Sequence, residues 1–283
     1  MTPFFELHFV TLSAPQPRPK GDELKAMAVH YSCQLAEIIR NLKPDGIFLN
    51  FEFCWDLFGV PEFVIPFDPT RIICALWDDV VYHEVNLVVI EKLGLSRIVV
   101  ADAVSRYRYL QEGFDASFLA CEGSDEIYFA DSAVSPKNQV IFVGNSKKAD
   151  REEMLSRLSS QVPVKIDPSR SQSYAQLAGS LRDSQIAINF SKSQPDPQGR
   201  VRFQFKGRIL ESIFCGALPI TETCPSTQVL FEGLVPQFGC PEEALSLIRQ
   251  YLNDPVQRRR LADDLQSIAA KYRPKNIYRG LVF

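Results

Sequence analysis

Apolar runs recur along the chain, and each is followed by a stretch in which apolar positions fall three and four apart. Residues 4–12 (FFELHFVTL) predict a first strand, and residues 13–20 (SAPQPRPK) predict a proline-rich loop. From Asp22, a helix cap by type, Leu24, Met27, Ala28, Tyr31, Leu35 and Ile38 recur at helical spacing and predict a helix to about residue 42. A second strand over 47–52 (IFLNFE) follows a KPDG turn and ends at Glu52. Residues 53–70 hold three prolines and read as a loop with short helical pieces. Strands over 71–77 (RIICALW) and 97–101 (RIVVA) each precede a helix, the first over about 81–93 and the second running to Gly113. A short fifth strand over 117–121 (SFLAC) closes this series.

Residues 122–137 are polar, have no clear period, and read as a linker. A second series then begins, with strands over 139–146, 162–166 and 185–191 and helices over 150–159 and 174–181. Loop 192–200 leads to a helix over 205–215 and a strand over 217–220, near whose end Pro219 is expected. A short helix, a strand over 234–238 and helices over 242–252 and 255–271 follow. Strands alternating with helices predict parallel α/β sheets. The series divide the chain into domains 1–128 and 129–270, with a tail over 271–283.

Composition narrows the function classes. With 46% hydrophobic and 23% charged residues, the chain reads as a soluble globular protein. A net charge of −3 gives no reason to expect nucleic acid or more than peripheral membrane contact, and no apolar run is long enough to span a bilayer. The seven cysteines form no CxxC pair, which fits reduced thiols. With a first segment that lacks a signal-peptide pattern, this sets the expectation of a cytoplasmic protein. With His8, His30 and His83 as the only histidines, no metal site is expected. The oligomeric state is left open. Lys and Arg at 258, 259, 260, 271, 273, 275 and 279 read as a solvated basic face, with contact to anionic lipid headgroups as a weaker alternative.

The richest stretch is VRFQFKGRILESIFCGALPITE, residues 201–222. Leu210 with Phe214, and Ile209 with Ile213, make the predicted helix apolar on much of its surface, and Gly216 is its expected stop. Lys206 and Arg208 fall in the first turn, where they suit a diphosphate; Glu211, one turn on, is placed to bind a ribose diol. The alternative is a surface Arg208–Glu211 ion pair.

FKGRILESIFCGALPITE resembles the donor-site helix of GT-B glycosyltransferases, in particular the group similar to the spore-maturation protein CgeB. Glu211 matches the second glutamate of the paired-glutamate motif of many retaining members, whereas position 203, where the first would stand, is Phe. The resemblance extends more weakly over most of the chain. It implies two Rossmann-like domains facing across a cleft, with the last helix crossing back to the N-terminal domain. It also implies a nucleotide-diphosphate sugar as co-substrate, a hydroxyl acceptor, and no cofactor or metal. A sugar-nucleotide epimerase of the same fold and a non-catalytic binding module are the alternatives.

On the donor side, Gly144 after the strand at 140–143 lets a phosphate approach the backbone, and Asn145 and Ser146 add polar groups. The CgeB-like group carries a similar glycine turn followed by an arginine, which Arg151 fits. Asn189 and Ser191 end the strand at 185–191 and would reach the mouth of the same sheet. On the acceptor side, Asp78, Asp79 and His83 follow the strand at 71–77, where a base for a hydroxyl acceptor belongs, and Glu52 is a fourth candidate. Asp79 as a helix cap is the competing reading.

Overall fold

The computed structural model describes residues 8, 10, 19–52, 54–119, 123–129, 135–147, 149–168, 173–193, 195 and 198–280. The strand expected over 4–12 and most of the proline-rich loop after it lie outside these.

The first unit comprises helix α1 (Gly21–Leu42), β1 (Ile47–Leu49), α2 (Trp55–Gly59), β2 (Ile72–Leu76), α3 (Asp79–Leu93), β3 (Arg97–Val100), α4 (Ala103–Gln111) and β4 (Asp115–Phe118). Its four strands pair in parallel in the order β1-β2-β3-β4. Every residue of β2 (IICAL) is buried, as expected of a parallel strand covered on both faces. Gly94 ends α3 in the left-handed conformation. Helix α1 starts one residue before Asp22, which makes no cap; Lys20 takes that position.

The second unit follows a four-residue helix, α5 (Asp125–Tyr128), inside the expected linker. It comprises β5 (Asn138–Val143), α6 (Ala149–Ser159), β6 (Val164–Asp167), α7 (Tyr174–Arg182), β7 (Ser184–Asn189), α8 (Arg208–Phe214), β8 (Leu218–Glu222), α9 (Pro225–Leu230) and β9 (Gln237–Phe238). Helices α10 (Pro241–Asn253), α11 (Pro255–Ala269) and α12 (Pro274–Gly280) complete it. Its five parallel strands run in the order β6-β5-β7-β8-β9. Tyr128, expected at the end of the first domain, is instead buried in the core of the second. Pro219 is the second residue of β8 rather than near its end, upstream of the pairing with β9 at Thr221.

Several contacts join the units. Asp102, between β3 and α4, is 2% exposed. One of its carboxylate oxygens accepts from Val104 N (2.9 Å), Ser105 N (3.1 Å) and Ser226 Oγ (2.6 Å), and the other from Phe205 N (2.8 Å). The side-chain amide of Gln204 donates to the carbonyl of Trp77. Finally, Ile277 of α12 packs with Ile73, Val99, Leu119 and Trp77, so the last helix lies against the first unit's sheet. Just before it, Tyr272 meets Phe118 edge-on at 5.4 Å.

Candidate active site

The chain enters the second sheet at β5, adds β6 on one side, then returns to place β7 on the other. Connections leave β5 and β7 in opposite directions, and a crevice opens at their carboxyl ends. Gly144 ends β5 there, its N–H donating to Asp167 O at 3.0 Å. A Cβ at Gly144 would lie 3.0 Å from the Phe142 ring, so only glycine fits without a shift. Asn145 turns inward on its own loop and accepts from Lys147 N; Ser146 is half-buried beside it. Asn189, at the end of β7, is 4% exposed, and its amide nitrogen has no hydrogen-bond partner among the described residues. An unmatched buried donor costs about 1–3 kcal/mol, so it marks a position that a ligand acceptor would stabilise.

Arg151 packs beside the same crevice. Its guanidinium lies 5.8 Å from the Phe190 ring centre and donates to Lys192 O (3.2 Å) and Asn145 O (3.4 Å). Burial holds its pKa below the usual arginine value. Ser191 is committed elsewhere: fully buried, its hydroxyl faces the carbonyls of Glu222 (3.1 Å) and Thr223 (2.9 Å), fixing the end of β8 rather than opening to the crevice.

Helix α8 is shorter than its apolar pattern predicts, with seven residues starting at Arg208. Two of the clamps described above explain the difference. Phe205 N is held by Asp102 and the Gln204 side chain by Trp77, so residues 204–206 stay out of the helix. Lys206 therefore precedes α8 instead of lying in its first turn, and its ammonium donates to Gln204 Oε1 at 2.7 Å. Arg208 pairs with Glu211. This is no surface pair: Glu211 is 4% exposed, and Tyr128 donates to its other carboxylate oxygen at 3.2 Å. Both Glu211 oxygens are thus engaged within the protein, one by Arg208 and the other by Tyr128. Gly216 ends the helix with φ 82°, as its position predicts.

In the first unit, Asp79 does not cap α3. Asp78 holds the cap position, half-buried and without a side-chain cap bond. Asp79 points into the core, accepting from Tyr109 Oη (2.6 Å) and Asn86 Nδ2 (3.0 Å) and facing His83 Nδ1 at 3.1 Å. Burial opposes its ionisation, but bonds from His83, Tyr109 and Asn86 outweigh that and hold the carboxyl below its usual range. His83 is buried too, its Nε2 lying 3.0 Å from Glu112; burial disfavours the cation, but the two carboxylates raise its pKa. Burial and the Asp79 charge push the Tyr109 phenol far up. These groups form a closed network that holds α3 to α4, with both oxygens of Asp79 engaged.

Glu52 lies past the end of β1, where its two oxygens accept from Trp77 N (2.5 Å) and Asp78 N (2.9 Å). Burial, only partly offset by those two bonds and reinforced by the charges of Asp78 and Asp79, pushes its pKa up to about 7. Glu52 thus sets the loop that carries Asp78.

Asp102, Gln204 and Tyr128 were not singled out by their sequence context. An aspartate between an apolar strand and a helix has the pattern of a cap, and nothing local reveals that its second oxygen reaches residue 205.

No curated protein matches the chain in sequence. Solved structures share its architecture. Sucrose-phosphate synthase from Thermosynechococcus elongatus is 11% identical with a TM-score of 0.62, over 96% of this chain and 82% of that one. HepE from Anabaena, in complex with UDP, is 13% identical with a TM-score of 0.56, over 87% and 80%. A UDP-N-acetylglucosamine 2-epimerase is 11% identical with a TM-score of 0.51, over 93% and 75%. At these identities the likeness speaks to fold alone, and the fold is GT-B: two parallel α/β units facing one another. The family described as glycosyl transferase-like matches residues 129–281, which take in the entire second sheet, its crevice and the returning helix. That match spans more than half of the chain, and the protein belongs to the glycosyl transferase-like family.

Proposed function

We propose that the protein is a glycosyltransferase of the CgeB-like kind, moving a sugar from a nucleotide-diphosphate donor to a hydroxyl acceptor. The observation that carries this reading is the coincidence of the family match with the topological switch point. Gly144, Arg151 and the unmatched amide of Asn189 gather there. Lys206, just before α8, and Arg208, its first residue, would supply further cations.

In the reaction, the bond from the sugar's anomeric carbon to the diphosphate breaks and the acceptor oxygen forms a new bond to that carbon. The leaving diphosphate gains negative charge. Arg151, Lys206 and Arg208 would neutralise it, so the reading includes independence from a divalent metal. The acceptor hydroxyl must lose a proton. Of the carboxylates in the first unit, Asp79 is buried with both oxygens engaged, whereas Asp78 is half-buried at the head of α3. Asp78 is therefore the better general base, with Glu52 fixing its backbone. A non-catalytic binding module is the second reading, favoured by Glu211 being closed in by Arg208 and Tyr128.

Incubation with a panel of sugar nucleotides, with and without EDTA, tests these readings. Release of free nucleoside diphosphate that survives chelation is expected. Interconversion of the sugars would make the protein an epimerase. Binding without turnover would make it a module. An absolute requirement for Mg²⁺ or Mn²⁺ would overturn the metal-independent mechanism.

A further inference from the structure

The chain passes between the two units twice, once through α5 and once at the start of α12, and the two passages are fastened to each other. The side chain of Asp125, the first residue of α5, is 11% exposed. One of its carboxylate oxygens lies 2.9 Å from Arg273 Nε and 3.4 Å from Lys275 Nζ. The first contact is an ion pair rather than an aligned hydrogen bond, and both of its atoms are shielded from water. Shielding strengthens that attraction, while Lys275 stays half-exposed and adds less. The other oxygen accepts from Lys275 N, in the second residue of α12, at 3.2 Å. Arg273 also lies over the ring of Phe129, 3.7 Å from its centre.

From Asp125, α5 leads to the donor side. Its last residue, Tyr128, is one helical turn on and donates to Glu211, which pairs with Arg208. The rings of Tyr128 and Phe129 lie 6.1 Å and 5.1 Å from that of Phe214, the last residue of α8. Arg182 of α7 donates to Ile127 O at 2.7 Å, so α5 is held at its middle as well as at both ends. In the other direction, α12 carries Ile277 into contact with Trp77, the residue before Asp78. A continuous line of packed and bonded groups therefore joins the acceptor end of the first sheet, through Arg273 and Asp125, to Arg208.

We propose that Asp125 is a positioning residue that couples the seating of α12 on the first unit to the Arg208–Glu211 pair. Seated α12 holds Asp125, α5 carries that hold to Tyr128, and Tyr128 orients the carboxylate that fixes Arg208. The two states of the device are α12 seated on the first sheet and α12 released from it. Coupling of this kind is reciprocal, so whatever loosens one end loosens the other by the same factor. If Asp125 only tied down the tail, changes at Glu211 would leave α12 untouched. The coupling stands on the geometry alone; its effect on nucleotide affinity rests on the transferase reading, in which Arg208 meets the diphosphate.

Amide hydrogen exchange in α12, with and without UDP, tests the coupling, and calorimetric titration with UDP tests its consequence. Without nucleotide, Asp125→Asn should speed exchange in α12 by about tenfold, the scale of one charge-assisted contact. Tyr128→Phe and Glu211→Gln, made at the far end, should each speed it by about fivefold, while exchange in α6 of the same unit stays unchanged. Combining Asp125→Asn with Tyr128→Phe should add much less than the product of the two effects, because the line is already broken. UDP should slow exchange in α12 of the wild-type protein but not of the Asp125→Asn protein, and should bind the latter about fivefold more weakly. That arm keeps the test informative even if a variant at Glu211 folds poorly. Exchange in α12 that responds to Asp125→Asn but to neither Tyr128→Phe nor Glu211→Gln would make Asp125 a structural tie and overturn the proposal. Equal UDP affinity in both proteins, with α12 indifferent to UDP, would overturn it too and leave the transferase reading standing. Coupled exchange in a protein that binds no UDP would uphold the device and count against the transferase.

Discussion

Replacing Asp102 by Asn changes one oxygen to an amide in a site where every contact is accounted for. The carboxylate accepts four hydrogen bonds, three at one oxygen and one at the other. Two of them cap α4, and two reach across to Ser226 and Phe205 of the second unit. An Asn side chain has a single acceptor oxygen. If that oxygen keeps the cap, the new NH₂ faces the N–H of Phe205 and the interdomain bond is lost. If the amide turns over, Phe205 is satisfied and the cap fails. Either way at least one bond to a charged acceptor disappears and a buried backbone donor is stranded, at a cost of about 1.5–3 kcal/mol. That corresponds to a fall in melting temperature of roughly 3–10 °C for a domain of this size. Asp102→Ala, which removes both acceptor oxygens and with them all four bonds, should cost more. The consequence for function follows from the position of Phe205, immediately before Lys206 and three residues before Arg208. With its N–H released, the lead-in to α8 loses its anchor, and the affinity for a nucleoside diphosphate should fall along with the stability. Thermal unfolding followed by calorimetric titration with UDP measures both. An Asp102→Asn protein that melts within about 1 °C of the wild type would refute the account of the clamp. A variant that is destabilised yet binds UDP unchanged would refute the link to the donor side.

Further outcomes follow from the same geometry. Arg208→Ala should weaken nucleoside diphosphate binding by about ten- to a hundredfold if the guanidinium contacts the diphosphate, measured by titration. Glu211→Gln should lower stability by roughly 1–3 kcal/mol, because it breaks a buried pair and leaves Arg208 without its counter-ion; an unchanged denaturant midpoint would contradict this. Glu52 binds a proton in the folded state up to about pH 7, whereas an ordinary glutamate loses it near 4.5. Between those values the folded state holds more protons than the unfolded one, so stability should fall as pH rises, by at most about 3 kcal/mol. Glu52→Gln should abolish that slope in melting curves taken from pH 4.5 to 7.5. Gly144→Val should lose diphosphate affinity at least tenfold, since its side chain must move Phe142 or fill the crevice, at a stability cost of about 1–3 kcal/mol.

What the sequence reveals of this molecule divides along a physical line. Strands such as β2 and β7 are buried on both faces, so their apolar runs are dictated by local burial and are legible as such. Gly216 is legible for a similar reason, because a left-handed residue ending a helix is a local demand. The ends of α8 are not local in this sense. Phe205 and Lys206 carry a pattern that continues the helix, and they leave it because Asp102 and Trp77, over a hundred residues earlier, hold their neighbourhood extended. The same distinction separates the acidic residues. Asp78 and Asp79 are adjacent and chemically identical, yet one stands half-open at a helix head and the other faces Tyr109, Asn86 and His83 in the core. Their difference is set by side chains contributed from α3 and α4, which no spacing around residue 78 encodes. Arg208 and Glu211 are the converse case. Their spacing predicts contact, and contact is found, but Glu211 is 4% exposed and Tyr128, from outside the second sheet, bonds its other oxygen. Burial turns a contact worth about 0–1 kcal/mol on a surface into one whose disruption is costly. A donor nucleotide that uses Arg208 must therefore either leave Glu211 paired or replace Arg208 at its carboxylate. A ribose contact at the oxygen that Arg208 holds requires the second, and it would cost the protein the Arg208–Glu211 bond while Tyr128 keeps the other oxygen.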